Sequence, residues 1–141
     1  MNIENNLILS AAIGYKWNDL KIFIKSFRKY SDEKIIFIVK NDLDKFTIQK
    51  FKKYKISTFK INRSKYKINK KPGLSFDNFN TNQLRYKFYF DVLKSLKNKP
   101  KKILLTDSRD VLFQSNIFKY KWLFPLNFFL EEQKIYNCPM N

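Results

Sequence analysis

Two carboxylates and a guanidinium stand within four residues at Asp107-Ser-Arg109-Asp110, directly after the run Ile103-Leu-Leu-Thr106. Charged groups at the end of a buried strand are costly to desolvate unless they pair or hold a cation. The chain has no His, and Cys138 is its single cysteine, so the ligands on offer there are hard oxygens. That donor set suits Mg2+ or Mn2+, which would bridge the carboxylates to a diphosphate. Arg109, between the two acids, reads as a salt-bridge partner or a phosphate contact. A plainer arrangement has Asp107 capping a turn while Arg109 and Asp110 pair on the surface.

The rest of the composition narrows the chemistry further. Without His there is no Ser-His or Cys-His dyad, and a lone Cys cannot make an internal disulfide or a thiolate zinc cluster. The two glycines, Gly14 and Gly73, are too far apart to build either of the common glycine-rich phosphate loops. A phosphohydrolase of the haloacid-dehalogenase type needs a second Asp two residues after its nucleophilic Asp, and Arg109 stands there instead. The 141 residues are 44% hydrophobic and 18% aromatic, enough for the core of one domain despite the charge. No apolar run approaches the roughly 20 residues of a membrane-spanning helix. The opening MNIENNLILSAAIG has no Lys or Arg and does not read as a secretory signal, so a cytoplasmic, reducing setting is expected.

Twenty-nine basic residues against 12 acidic ones leave a net charge of +17, which suggests an anionic partner. From Lys45 to Phe76 there are 11 basic residues and no acid. That zone could face phosphates or lie peripherally on the inner face of an anionic membrane. The basic residues are 25 Lys and only 4 Arg, a bias that AT-rich coding would also produce and that base readers lack. Nucleic acid is therefore not the expected partner. The alternative to an enzyme is nonetheless a non-catalytic basic module that binds nucleic acid or anionic membrane through residues 45–76.

The elements that must position Asp107 and Asp110 follow from periodicity. Leu7 to Ala12 is a short apolar run without helical period and reads as a buried strand. Trp17, Leu20, Ile24 and Phe27 recur at helical spacing and predict an amphipathic helix over 17–30. Lys34 to Val39 is a second buried strand, Asp42 can cap a helix over 43–54, and Ile56 to Ile61 is a third strand. Residues 62–79 lose periodicity and read as a long loop. Leu84, Phe88, Val92 and Leu96 predict a helix over 80–97, on which Arg85 and Tyr89 form an adjacent i, i+4 stripe. Lys102 to Thr106 is the fourth strand, and Val111-Leu-Phe-Gln114 reads as apolar strand continuing beyond the acids. Strands alternating with helices imply right-handed crossovers and a mostly parallel sheet covered on both faces. In such sheets ligands bind outside the carboxyl ends of the strands.

Leu9-Ser-Ala-Ala-Ile-Gly-Tyr15, the helix carrying Phe23 to Phe27, and Leu105-Thr-Asp-Ser-Arg-Asp-Val-Leu-Phe-Gln114 together resemble nucleotide-sugar glycosyltransferases of the GT-A fold. The D-S-R-D-V-L-F-Q block is the specific part. The resemblance implies a GT-A-like (Rossmann-like) α/β fold and a hexosyltransferase-like activity of the kind used in polysaccharide biosynthesis. A sugar would pass from a nucleoside-diphosphate sugar to a glycan or lipid-linked acceptor. It assigns Asp107 and Asp110 the metal-binding role of a D-x-D pair, with Mn2+ or Mg2+, although here the acids are three apart. It places Ala11, Ala12 and Tyr15 near the base and ribose, turns Arg85 and Arg109 toward the same nucleotide-sugar pocket, and sets Glu131 and Glu132 at the acceptor side. The family's catalytic carboxylate belongs to a C-terminal half. The chain ends at Asn141 as if mid-element, so it is expected to be the nucleotide-binding part, truncated and inactive in isolation, with no catalytic residue assigned.

Overall fold

A computed structural model of the protein describes residues 5–61 and 81–127. In chain order these form β1 (Leu7–Ala11), α1 (Trp17–Arg28), β2 (Lys34–Val39), α2 (Lys45–Lys53), β3 (Ile56–Lys60), α3 (Thr81–Ser95), β4 (Ile103–Leu105) and a short 3-10 turn at Ile117–Lys119. The four strands make one sheet in the order β3-β2-β1-β4, and every pairing is parallel.

The central strands β1 and β2 are apolar at most positions because both faces of the sheet are buried there, whereas the edge strands β3 and β4 are partly exposed. Ile8, Ile35, Phe37 and Val39 point to one face and pack with Leu20, Phe23, Ile24 and Phe27 of α1 and Phe51 of α2. Leu7, Leu9, Ile36 and Ile38 point to the other and pack with Phe88, Tyr89 and Val92 of α3. Since β4 follows α3 and returns beside β1, the chain reverses its direction of winding between β1 and β4. The topological switch point therefore lies between those two strands.

Local chemistry sets where the elements begin and end. Gly14 adopts a left-handed φ of +80° in the turn between β1 and α1, a conformation that a residue with a Cβ resists. Asp19 reaches back to accept from the Lys16 N–H at 2.9 Å, half of a capping box for α1. The cap of α2 is Asp44 and not Asp42: its Oδ1 accepts from Thr47 N–H at 2.8 Å, and that bond holds the carboxyl below the usual range. The fully buried Thr47 hydroxyl donates to Asp44 at 2.8 Å and accepts from Trp17 N–H at 2.9 Å, so one side chain joins the starts of α1 and α2.

One expected element is replaced. Residues 111–114 form no strand. Phe113 instead packs its ring edge-on against Phe23 and Phe27, 5.0 and 5.1 Å away between centroids, and its N–H donates to the Ser26 hydroxyl at 3.1 Å. Phe118 follows onto Phe27, and Leu112 points into solvent. The 62–79 loop, Glu131, Glu132 and Cys138 lie outside the described residues.

Candidate functional site

Strands β1 and β2 stay paired to the end, through Ala11 with Ile38, and the Ala12 N–H goes on to the Ile38 carbonyl at 2.9 Å. Strands β1 and β4 do not. Their pairing begins with Leu7 N–H on the Lys102 carbonyl at 3.0 Å and stops at Leu9 with Leu105. Continued by two residues at each step, the ladder would give the Ala11 N–H to the Thr106 carbonyl. It goes instead to the Tyr89 hydroxyl of α3, at 3.2 Å. The two strands therefore split at their carboxyl ends, and Tyr89 satisfies the amide that the split leaves over.

Asp107, Ser108, Arg109 and Asp110 follow β4 at this split. The Asp107 side chain is 71% exposed, and its Oδ1 meets Nη1 of Arg85 at 2.7 Å. Arg85 comes from α3, one helical turn before Tyr89, and its guanidinium also lies 5.3 Å from the Tyr86 ring centre. The guanidinium at Asp107 thus comes from Arg85 and not from Arg109. Arg109 and Asp110 are exposed and make no ion pair among the described residues, so they do not pair with each other. Burial pushes the Tyr89 hydroxyl above the ordinary tyrosine value, and Asp107 adds to this, against the Ala11 N–H and the charge of Arg85. Tyr89 is neutral at physiological pH.

The first-strand residues divide by side. Ala12 is buried and gives its methyl to the α1-side core, Tyr15 is half-buried against that core, and Ala11 packs toward α3. Of these, Ala11 is the one tied to the split, through its backbone. Two hydroxyls near this end of the sheet, Ser10 in β1 and Ser108 after β4, are fully buried and have no hydrogen-bond partner among the described residues. Such groups are what a polar ligand or an ordered water takes up.

Sequence reasoning reached Asp107, Asp110 and Arg85 but assigned Tyr89 no role. The i, i+4 spacing from Arg85 was the available signal: it puts both side chains on one stripe of α3, and that stripe faces the split. Among the described residues no group of three or more His, Cys, Asp or Glu side chains gathers that could hold a metal by itself. Two carboxylates are enough where a diphosphate brings the remaining oxygens, which is how Mg2+ is commonly held. A cavity of about 290 Å3 lies at the opposite end of the sheet, beside Leu7, Lys34, Lys97 and Pro100, with no carboxylate in its lining.

Fold and site together define a Rossmann-like α/β protein with an acidic pair at the switch point of a parallel sheet. Set against protein-family models, curated proteins and solved structures, the chain matches none of them.

Proposed function

We propose that the chain is a metal-dependent glycosyltransferase domain of GT-A type, which binds a nucleoside-diphosphate sugar and passes the sugar to a glycan or lipid-linked acceptor. The observation that carries this reading is the split between β1 and β4, with two carboxylates immediately after β4 and a guanidinium brought to one of them from α3. Asp107 and Asp110 would hold Mn2+ or Mg2+, and the ion when bound would neutralise charge on the departing diphosphate.

The chain's own residues do the remaining work. An ion pair as exposed as Arg85–Asp107 is worth about 1 kcal/mol or less. Arg85 can therefore exchange the carboxylate for a phosphate oxygen at little cost, and Asp107 is then free for the cation. Arg109, with no ion pair among the described residues, offers a second guanidinium on the turn that carries the two acids. Tyr89, whose hydroxyl accepts the Ala11 N–H, holds α3 to the end of β1 and so keeps Arg85 over the split. The net charge of +17 favours arrival of an anionic donor.

The test is a thermal shift with UDP or GDP, with and without Mn2+. A ligand present at a hundred times its Kd stabilises by about 2.7 kcal/mol, which raises Tm by several degrees in a domain of this size. The rise should need both Mn2+ and the diphosphate and should vanish in Asp107→Ala and Asp110→Ala. No shift with any nucleoside diphosphate, or a shift that survives Asp107→Ala, contradicts the reading.

A further inference from the structure

The core of α2 is small. Thr47 and Phe51 are its buried residues, while Phe46 is 54% and Ile48 41% exposed. At 100° per residue, Phe46 and Ile48 fall on the two borders of the outward face, with Lys45, Gln49, Lys52 and Lys53 between them. The Lys50 ammonium lies 4.9 Å from the Phe46 ring centre. Lys55 and Lys60 continue the exposed positive charge onto β3, the edge strand. No acid occurs between Lys45 and Ile61. The nearest are Asp42 and Asp44, and the Asp44 carboxylate is already taken by the Thr47 N–H and hydroxyl.

We infer that the outward face of α2, continued along β3, docks on an anionic lipid bilayer. Charge complementarity calls for a negative partner, and the two apolar side chains decide which. Packing leaves Phe46 and Ile48 outside the core, and an aliphatic Ile48 gives a nucleic acid nothing to stack on. No Arg stands between Lys45 and Ile61 to read bases or clamp phosphates. A bilayer uses all the parts at once: the lysines of the outward face set their ammonium groups at the phosphates, and Phe46 and Ile48, one at either border of that row, flank it at the headgroup boundary. Phe46 and Ile48 belong to the first turn of α2, which follows the carboxyl end of β2. They therefore lie at the rim of the sheet where β1 and β4 split. A membrane held there would run beside the crevice. The residues involved are different from those of the proposed transfer site, so failure of this inference leaves that reading untouched.

Co-sedimentation of the full chain with vesicles tests it, using pure phosphatidylcholine and phosphatidylcholine with about 30% phosphatidylglycerol. Wild type should bind the anionic vesicles and not the neutral ones. Phe46→Ser with Ile48→Ser, which changes no charge, should lower the partition coefficient by about tenfold or more, while a cooperative melt and an unchanged far-UV circular dichroism spectrum show that the fold is kept at a Tm several degrees lower. Lys52→Gln with Lys53→Gln should lower it by roughly fivefold per lysine and flatten its salt dependence, whereas Lys25→Gln with Lys29→Gln on α1 should do much less. The inference is overturned if anionic vesicles are not bound, or if the serine pair binds them as wild type does. It is equally overturned if poly(U) is bound more tightly than vesicles in a manner sensitive to Lys52 and Lys53 but not to Phe46 and Ile48.

Discussion

At the amino ends of the strands one side chain gathers several backbone carbonyls; at the carboxyl ends the carboxylates keep much of their surface in water. Arg28 shows the first arrangement. Its guanidinium donates to the carbonyls of Tyr54 at 2.9 Å, Ser31 at 3.2 Å, Glu33 at 2.7 Å and Lys55 at 3.4 Å, so one side chain ties the end of α1 to the entries of β2 and β3. On the same side, Glu33 accepts twice from Asn6, and the Lys102 ammonium donates to the Phe118 carbonyl at 2.8 Å. At the carboxyl ends β4 leaves β1 and a tyrosine takes up the stray amide, while the buried Ser10 and Ser108 hydroxyls, like Asn6 Oδ1 at the amino end, have no partner among the described residues. Asp107 keeps most of its surface in water, and Asp110 is exposed. The contrast separates an end that stabilises the fold from an end whose groups remain available to something else.

Substitutions can break that contrast or sharpen it. Arg28→Ala should have the largest effect. Four carbonyls lose a charged donor that burial holds in place, which should cost about 2–4 kcal/mol and be seen as a lower midpoint in urea unfolding. Tyr89→Phe should cost about 1 kcal/mol, because the Ala11 N–H loses its acceptor. It should also change the alkaline limb. The folded Tyr89 hydroxyl titrates above the unfolded value near 10. Its contribution is therefore complete below that value, and wild-type stability falls as pH rises through the folded one; the phenylalanine variant should lack that part of the slope. Asp107→Asn should change stability least, within about 0.5 kcal/mol, since it removes only one exposed ion pair. A loss at Asp107 comparable to that at Arg28 would mean that the carboxyl end is a structural junction after all.

Much of the architecture was legible in the residues, for a physical reason. Central strands buried on both faces are apolar at most positions, and the runs at Leu7 and Lys34 are too short for helices. The helical spacing of Trp17, Leu20, Ile24 and Phe27 leaves one arrangement that buries them all. What failed to show in the sequence depended on contacts between distant segments. The sequence pointed to Asp42 as the cap of α2, but the cap is Asp44, whose partner Thr47, three residues on, is also tied to Trp17. Val111-Leu-Phe-Gln114 has the composition of a strand, yet the pull of Phe23 and Phe27 on Phe113 is invisible until α1 is in place. Arg109 stands beside the acids in sequence, but Arg85 reaches Asp107 across 22 residues because α3 crosses over the split. Tyr89 needed the same crossing to meet Ala11.

The most direct test of the account is where a divalent cation sits when a nucleoside diphosphate is present. Substoichiometric Mn2+, added with UDP or GDP to the isotope-labelled full chain, should broaden backbone amide signals of residues 106–111, of Ala11 and of Arg85, and leave those of Arg28 and Glu33 sharp. The same addition to the protein carrying Asp107→Asn and Asp110→Asn should broaden none of them. Broadening that persists in that double variant, or that centres on Asp42 and Asp44 at the start of α2, would contradict a metal-assisted site at the split between β1 and β4.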